Sequence, residues 1–211
     1  MTRRMLDREL DLLDKQLTEM GGLCIEGISM AVTSLVDKDK REELDAEIRE
    51  IEKGTDRKEV EIEQLCTKII LQQQPIAGDF QLVKAAIHMI ADMERIGDQV
   101  LDIADLSCEL KDKIGPGQTH IEDMDICVKK MVKESIISYV ERDKDLAQKV
   151  IKMDDIVDEH FENLKKELLN ILTTDVTKGS DVLDELIIGK YFERIADHAV
   201  NICETVQKAC R

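Results

Sequence analysis

The sequence predicts an all-α protein of six helices, arranged as two tandem three-helix bundles. Three observations predict this fold class. Aromatic residues make up only 2% of the 211 residues, whereas β-sheet interiors favour aromatic and β-branched side chains. Apolar residues recur at alternating steps of three and four along most of the chain, the spacing of an amphipathic helix. One acidic and apolar segment occurs twice, which indicates a duplicated unit.

The first unit begins with a predicted helix over about 5–36, followed by a charged corner at 37–40. Gly21 and Gly22 lie inside this helix and cost about 1 kcal/mol each, so the pattern leaves open a kink or a close helix contact. A second helix follows the corner and runs to about Leu71.

The second helix is expected to stop at Pro75, which cannot donate a backbone hydrogen bond. Asp79 is then placed to cap the third helix, predicted over about 80–113. Gly115-Pro116-Gly117 forms the clearest break in the chain.

The same plan repeats beyond the break. Three further helices are predicted, over about 121–140, 146–172 and 181–209. We therefore place the first three-helix bundle at residues 1–114 and the second at residues 118–211.

The repeated segment lies on the third helix of each unit. It reads M-E-R-I-G-D-Q-V-L-D-I-A-D from Met93 and F-E-R-I-A-D-H-A-V-N-I-C-E from Phe192. Polar positions at i, i+4, i+8 and i+11 form one stripe on a helix: Glu94, Asp98, Asp102 and Asp105 in the first copy, and Glu193, Asp197, Asn201 and Glu204 in the second. The second helix of each unit adds another acid pair: Glu52 and Asp56 in the first unit and, at an offset of 102, Asp154 and Asp158 in the second.

Acid pairs at this spacing are candidate metal ligands. Like charges at i and i+4 destabilise a helix by about 0.2–0.5 kcal/mol, and a bound cation would reverse that sign. Facing pairs offer carboxylate oxygens suited to iron, manganese, magnesium or zinc. However, 36% of the residues are charged, so such pairs also arise by chance, as Glu59 and Glu63 show. A solvated acidic face therefore remains the alternative.

Residues beside the stripe leave its role open. Arg95 and Arg194 follow the first acid of each copy and could neutralise it in ordinary ion pairs. His198 lies next to Asp197 and could join a metal site, but its counterpart is Gln99. The remaining histidines are interpreted as lone structural or surface residues: His88, His120 and His160.

Composition and missing motifs exclude several function classes. The net charge of −16 argues against nucleic-acid binding, which depends on clustered Lys and Arg. No uninterrupted apolar run approaches the roughly 18 residues that span a bilayer, so we expect a cytosolic protein. The six cysteines contain no C-x-x-C pair and are expected to be reduced. The sequence also lacks the Glu-x-x-His, H-E-x-x-H and phosphate-loop patterns, so we expect no enzyme activity.

These motifs together resemble the PhoU family of phosphate-uptake regulators, and the resemblance covers nearly the whole chain. It is carried by E-R-I-G-D from Glu94, E-R-I-A-D-H-A-V-N-I-C-E from Glu193, Q-P-I-A-G-D before the third helix, and D-x-x-V-D from Asp154. It implies two three-helix bundles, often dimeric, in a cytoplasmic protein that represses phosphate uptake. The implied partners are the ATPase or membrane subunits of a phosphate ABC transporter and, in many bacteria, a phosphate-sensing histidine kinase, so that contact with the membrane runs through proteins.

The resemblance also implies multinuclear metal clusters, with iron the first expectation and zinc, manganese or magnesium the alternatives. The implied ligands are Glu52, Asp56, Glu94 and Asp98 in the first unit, and Asp154, Asp158, Glu193 and Asp197 in the second. Gln99 stands where the family often has His, and Gly54 should weaken the helix that holds Glu52. Two other functions stay open: a metal store or metal-dependent enzyme, and a metal-free helical adaptor.

Overall fold

A computed structural model describes residues 2–110, 114–115 and 117–210 and confirms the all-α fold. The described residues form six long helices and two short 3₁₀ turns, at Lys38–Lys40 and Val176–Lys178, and contain no strand. The helices are α1 (Thr2–Val36), α2 (Arg41–Gln73), α3 (Ala77–Glu109), α4 (Gln118–Val140), α5 (Lys144–Thr174) and α6 (Gly179–Ala209).

Each half of the chain packs its three helices together, and two helix pairs join the halves. Helix α3 lies against α6, and α1 lies against α4. Asp92 of α3 contacts His198 of α6, while Gln99 contacts Arg194, so α3 and α6 run antiparallel. One apolar core extends through both halves. The two helices that carry the repeated segment are therefore neighbours. The bundle limits at residues 114 and 118 stay a prediction.

Helix α1 is unbroken, so neither of its paired glycines marks a break, and Gly21 serves a close contact. A Cβ atom on Gly21 would lie 2.0 Å from Cδ1 of Ile136 on α4, whereas Gly22 faces open space. The absence of a side chain at Gly21 thus lets α1 approach α4, which joins the two halves of the molecule.

Part of α1 is long and apolar enough to cross a membrane, by length and composition alone. Within the described residues this holds for one helix, Arg3–Val36, with 44% of the apolar window buried inside the protein. Its apolar seam supplies core side chains such as Leu13, Leu17 and Ile28, all with no exposed surface. These side chains are already covered by the protein.

Most of the cysteines lie in the core. None of the six is paired, and all except Cys108 are buried. Burial raises the pKa of the Cys24 thiol to about 12, so this thiol stays protonated at neutral pH.

The capping prediction for α3 is wrong, and two other predicted features of this region fall outside the described residues. Helix α3 begins at Ala77, with Ile76 at the N-cap position, so Asp79 lies inside the first turn. Its carboxylate instead accepts a hydrogen bond of 2.6 Å from Arg3. Helix α3 ends at Glu109, whereas its predicted end, Lys113, and the middle of the break, Pro116, lie outside the described residues.

A buried carboxylate holds the connection between the two halves. Glu185 of α6 is 2% exposed and accepts hydrogen bonds from the backbone N–H groups of Gly115, at 2.8 Å, and Gly117, at 2.9 Å. A Cβ atom on Gly115 would lie 2.4 Å from the Glu185 carboxylate. Burial raises the pKa of Glu185, against the opposing effect of the two N–H donors. Glycine is therefore needed where the connection passes this side chain.

Candidate metal centre

In the first half, the two predicted acid pairs come together across the contact between α2 and α3. The pKa of Glu52 is raised by partial burial and by the negative charges of Asp56 and Asp98. The pKa of Glu94 is raised by partial burial and by Asp98, and Asp56 adds to the effect. Glu52 and Glu94 are partly buried, while Asp56 is exposed. The four carboxylates thus form one acidic group at the protein surface.

The close approach of α2 and α3 has a local cause between the two pairs. A Cβ atom on Gly97 would lie 2.7 Å from the hydroxyl oxygen of Thr55, which is fully buried. In the second half, the corresponding residues are Ala196 and Val157, also fully buried. Helix α2 continues unbroken through Gly54, so the expected weakening produces no break beside Glu52.

Glu59 also belongs to the first acidic group, although its pair with Glu63 has the spacing of a chance pair. Its pKa is raised by partial burial and by Asp56, with a further contribution from Asp98. The spacing could have shown this, because Glu59 follows Glu52 by seven residues and Asp56 by three, on one helix face. The residue at the offset of 102 is Phe161, so this fifth acid is specific to the first half.

Arg95 partly neutralises the first group, one of the roles that its position after Glu94 left open. Its guanidinium lies 3.1 Å from the Asp98 carboxylate and 3.6 Å from that of Glu94. The Arg95 side chain is 62% exposed, and exposed ion pairs of this kind contribute about 0–1 kcal/mol. A multivalent cation could therefore displace Arg95 at little cost.

In the second half, the strongest sign of an unsatisfied charge is at Asp154. Partial burial raises the pKa of Asp154 to about 6, together with the nearby carboxylates of Asp158, Asp197, Asp155 and Glu193. One Asp154 oxygen, Oδ1, is buried and has no hydrogen-bond partner among the described residues. Such an oxygen normally finds a donor or a cation.

Among the remaining acids of the second group, Asp158 and Asp197 are exposed, whereas Glu193 is partly buried. The pKa of Asp197 is raised by partial burial and by Glu193, with Asp158 adding to the effect. Glu193 forms an ion pair with Lys190, whose side chain is 51% exposed. The four predicted residues therefore meet across α5 and α6 as their counterparts do across α2 and α3.

The donor set fits a hard or borderline cation, but the side chains do not yet enclose one. Within the described parts of the chain, no three His, Cys, Asp or Glu side chains converge closely enough to hold a metal ion. The buried Asp154 oxygen without a partner is the observation that fits a cation best. Both acidic groups are open enough for a hydrated ion to reach them.

The predicted stripe does not act as one continuous surface. Its first two positions face α2 or α5, and the later positions differ between the two copies. Asp105 still contacts α2, through an ion pair with Arg49, whereas Asn201 donates a 3.2 Å hydrogen bond to Asp92 of α3. The stripe spacing is correct, but in the second copy the neighbouring helix changes along it.

The two side chains left open beside the stripe contact the opposite half of the protein. Nδ1 of His198 lies 2.9 Å from an Asp92 oxygen, so His198 contacts α3, and it also counters the rise in the pKa of Asp197. Arg194 donates to Gln99 at 3.4 Å, unlike its counterpart Arg95. His198 and Arg194 thus connect the halves.

Comparison with known proteins gives a consistent family match. The PhoU domain family matches residues 17–107 and 121–206. A Clostridium acetobutylicum protein, described as a phosphate-specific transport system accessory protein PhoU homolog, is 35% identical over 97% of this chain and 94% of its own length.

Solved structures agree with this match. The crystal structure of PhoU from Pseudomonas aeruginosa has a TM-score of 0.89 at 31% identity, covering 96% of this chain and 97% of that one. The phosphate transport system regulatory protein PhoU from Streptococcus pneumoniae has a TM-score of 0.86 at 23% identity, covering 97% and 96%, which shows the shared fold.

Proposed function

The chain belongs to the PhoU family, and from that premise we propose that it is a non-enzymatic regulator of phosphate uptake. It acts in the cytoplasm by contact with the ATPase or membrane subunits of a phosphate ABC transporter, and with a phosphate-sensing histidine kinase where one is present. The relatives' description as transport accessory proteins, together with matches to both repeats, supports this role. The net charge of −16 favours a basic protein surface as the docking partner.

We further propose that each acidic group holds a multinuclear metal cluster, with iron the first candidate and zinc, manganese or magnesium the alternatives. The ligands would be Glu52, Asp56, Glu94 and Asp98 in one half, and Asp154, Asp158, Glu193 and Asp197 in the other. A bound cluster would supply positive charge that removes the repulsion among these carboxylates. Its role would be to stiffen each bundle or to form part of the docking surface.

The observation that carries the metal proposal is the repetition of one acidic group in both halves, with an unpartnered Asp154 oxygen in the second. In each half, two helices bring two acid pairs together although their charges repel. A repulsive arrangement of this kind is stabilised when a cation binds to it.

The regulatory proposal is tested by co-purification from membranes that contain the phosphate transporter. We expect the parent protein to co-purify with the transporter's ATPase or membrane subunit. A matched variant, Glu193→Ala/Asp197→Ala, separates a metal-dependent contact from a metal-independent one. Consistent absence of association by the parent protein would contradict the proposed function. The homodimer implied by the family resemblance stays a prediction, which light scattering during size-exclusion chromatography would test.

A metal-free helical adaptor is the second candidate, and the ion pairs favour it. Arg95 and Lys190 each pair with acids of the two groups, so part of the negative charge is already balanced. This candidate requires the same melting temperature with and without chelator. A fall in melting temperature on chelation would exclude it.

A further inference from the structure

We propose that one end of the first bundle, here called the tip, binds directly to the surface of an anionic lipid bilayer. The tip consists of the beginnings of α1 and α3, the end of α2, and the turn between α2 and α3. Its exposed apolar side chains are Met5, Leu71, Ile76 and Phe80. Its exposed cations that form no ion pair with a described residue are Arg4, Arg8 and Lys84. The family resemblance implies membrane contact through proteins, whereas this inference adds a direct contact that needs no transporter.

Two ion pairs hold the parts of the tip together. Nη1 of Arg3 on α1 lies 2.6 Å from a carboxylate oxygen of Asp79 on α3. Nζ of Lys68 on α2 lies 2.8 Å from a carboxylate oxygen of Glu9 on α1. Helices α1 and α3 therefore begin where α2 ends, and the four apolar side chains lie at one end of the bundle.

The tip extends past the end of α4. The Tyr139 hydroxyl, next to the last residue of α4, donates a 2.9 Å hydrogen bond to the backbone oxygen of Leu82, and Arg142 lies 3.1 Å from Asp14. The residues of α3 before Leu82 and those of α1 before Asp14 continue beyond these contacts, by about 8 Å and about 18 Å along the helix axes. A projecting end can touch a planar surface without obstruction from α4.

The apolar side chains of the tip are open to solvent. Ile76 is 77% exposed and Leu71 is 72% exposed, with Met5 at 54% and Phe80 at 39%. Apolar side chains grouped on a protein surface mark a site of contact. At a bilayer surface, such side chains enter the boundary between the headgroups and the acyl chains. This contact is at the surface and is not a membrane span, because the apolar seam of α1 is already covered by the protein.

Cations lie just behind these apolar side chains. Arg4 and Arg8 are four residues apart, so they share one face of α1, and Lys84 lies on α3. Counted from the helix ends at Thr2 and Ala77, all three lie within about 10 Å of the tip. Anionic headgroups attract Lys and Arg that lie this close to the membrane surface.

The tip is locally basic, although the whole chain carries a net charge of −16. Residues 3–9 and 68–84 contain five Lys and Arg against three Asp and Glu, a net charge of +2. Asp11, the next acid of α1, lies about one turn behind Arg8. The other acids are spread along helices about 50 Å long, and exposed charges are largely screened beyond about 8 Å at physiological salt. The charge of the tip therefore dominates at a surface that the tip touches.

The corresponding turn of the second half has the opposite charge. Helix α6 runs antiparallel to α3, so the turn between α5 and α6 lies at the far end of the molecule from the tip. Val176 and Leu169 are exposed there to a similar degree as Ile76 and Leu71. Residues 175–184, however, contain three Asp and one Lys. This turn therefore provides a matched control that has the apolar side chains without the positive charge.

Sedimentation of the full chain with lipid vesicles tests the proposal. The vesicles contain phosphatidylcholine alone or with about one third phosphatidylglycerol, and the parent protein should bind the second kind more tightly. Leu71→Ser/Ile76→Ser should lower the partition coefficient at least about tenfold, because it removes the two most exposed apolar side chains of the tip. Leu169→Ser/Val176→Ser is the matched control and should bind as the parent does.

Arg4→Gln/Arg8→Gln tests the charge separately. Each cation near an anionic surface contributes about fivefold to binding, so this variant should bind phosphatidylglycerol vesicles at least about tenfold more weakly than the parent. Both arginines are exposed, so this variant remains informative if Leu71→Ser/Ile76→Ser is unstable. Equal binding of the parent to both kinds of vesicle would contradict the role of the cations.

A tryptophan at the tip reports the contact directly. The sequence contains no Trp, so Ile76→Trp introduces a single fluorophore, whose emission should shift to shorter wavelength on phosphatidylglycerol vesicles. Val176→Trp is the control and should show no shift. Absence of vesicle binding by the parent would overturn the proposal and leave an acidic protein surface as the occupant of the tip. Equal losses of binding in the tip variant and its matched control would overturn it as well.

Discussion

Replacing Asp154 by Asn should stabilise the metal-free protein at neutral pH. In the folded state the pKa of Asp154 rises from 3.8 to about 6. At about 1.36 kcal/mol per pKa unit this corresponds to about 3 kcal/mol. Because Asp154 is only partly buried, solvent screening reduces the expected effect to about 1–2 kcal/mol.

The sign follows from the raised pKa. Asp154 is harder to ionise in the folded state than in the unfolded state. Its contribution to the free energy of unfolding is therefore complete below the unfolded pKa, near pH 4, and is lost as the pH rises through about 6. The parent protein should therefore lose about 1–2 kcal/mol between pH 4 and pH 7 that Asp154→Asn keeps. Asn preserves the side-chain shape and removes the charge.

The assay is thermal unfolding in a chelating buffer at pH 4 and pH 7. We expect Asp154→Asn to raise the melting temperature by about 2–8 °C at pH 7, with little change at pH 4. Glu159→Gln, at an exposed residue of α5 that is not among the charges raising the pKa of Asp154, is the control and should shift stability by less than about 0.5 kcal/mol.

Added metal should make the parent protein more stable than Asp154→Asn, the reverse of their order in chelator. A divalent ion at a hundred times its Kd stabilises the parent by about 2.7 kcal/mol, and Asp154→Asn should lose much of that gain. If Asp154→Asn lowers the melting temperature in chelator, the inferred repulsion among the four carboxylates is wrong.

Two other substitutions test the packing that positions the acidic groups. Gly97→Ala should lower the free energy of unfolding by about 1–3 kcal/mol, because the added Cβ atom would be forced against Thr55. Thr55→Ala in the same chain should restore part of that loss. If urea unfolding shows no such recovery in the double variant, the contact is not the cause. Glu185→Ala leaves the N–H groups of Gly115 and Gly117 without their acceptor and should cost about 2–4 kcal/mol. Glu185→Gln should cost less, because its amide oxygen can still accept one hydrogen bond. If Glu185→Ala and Glu185→Gln lower the stability equally in thermal unfolding, the proposed role of the carboxylate is wrong.

Local spacing carried most of the fold prediction. Apolar residues recur every three or four positions in α1 because only one face of the helix meets the core, as Leu13, Leu17 and Ile28 show. Helix ends were less predictable, because they depend on contacts across the chain. Asp79 has the residue type of a cap, yet its partner is Arg3, far away in sequence.

The acidic groups were predictable because repetition made them stand out from a highly charged background. Glu59 was missed because its pair with Glu63 has no counterpart in the second half. The sequence also left His120 and His160 as lone residues, although their ring centroids lie 5.9 Å apart in the structure. Those residues lie on different helices, and only the packing of α4 against α5 brings their rings together.

Metal content, measured by mass spectrometry on protein purified without an affinity tag, tests the central claim most directly. The comparison is between the parent chain and Glu193→Ala/Asp197→Ala, which removes half of the second acidic group. We expect several equivalents of iron, zinc or manganese in the parent and about half as many in the variant, as loss of one of two similar carboxylate sites requires. Absence of metal in both proteins, or equal metal in both, would contradict the claim that the repeated carboxylates bind it.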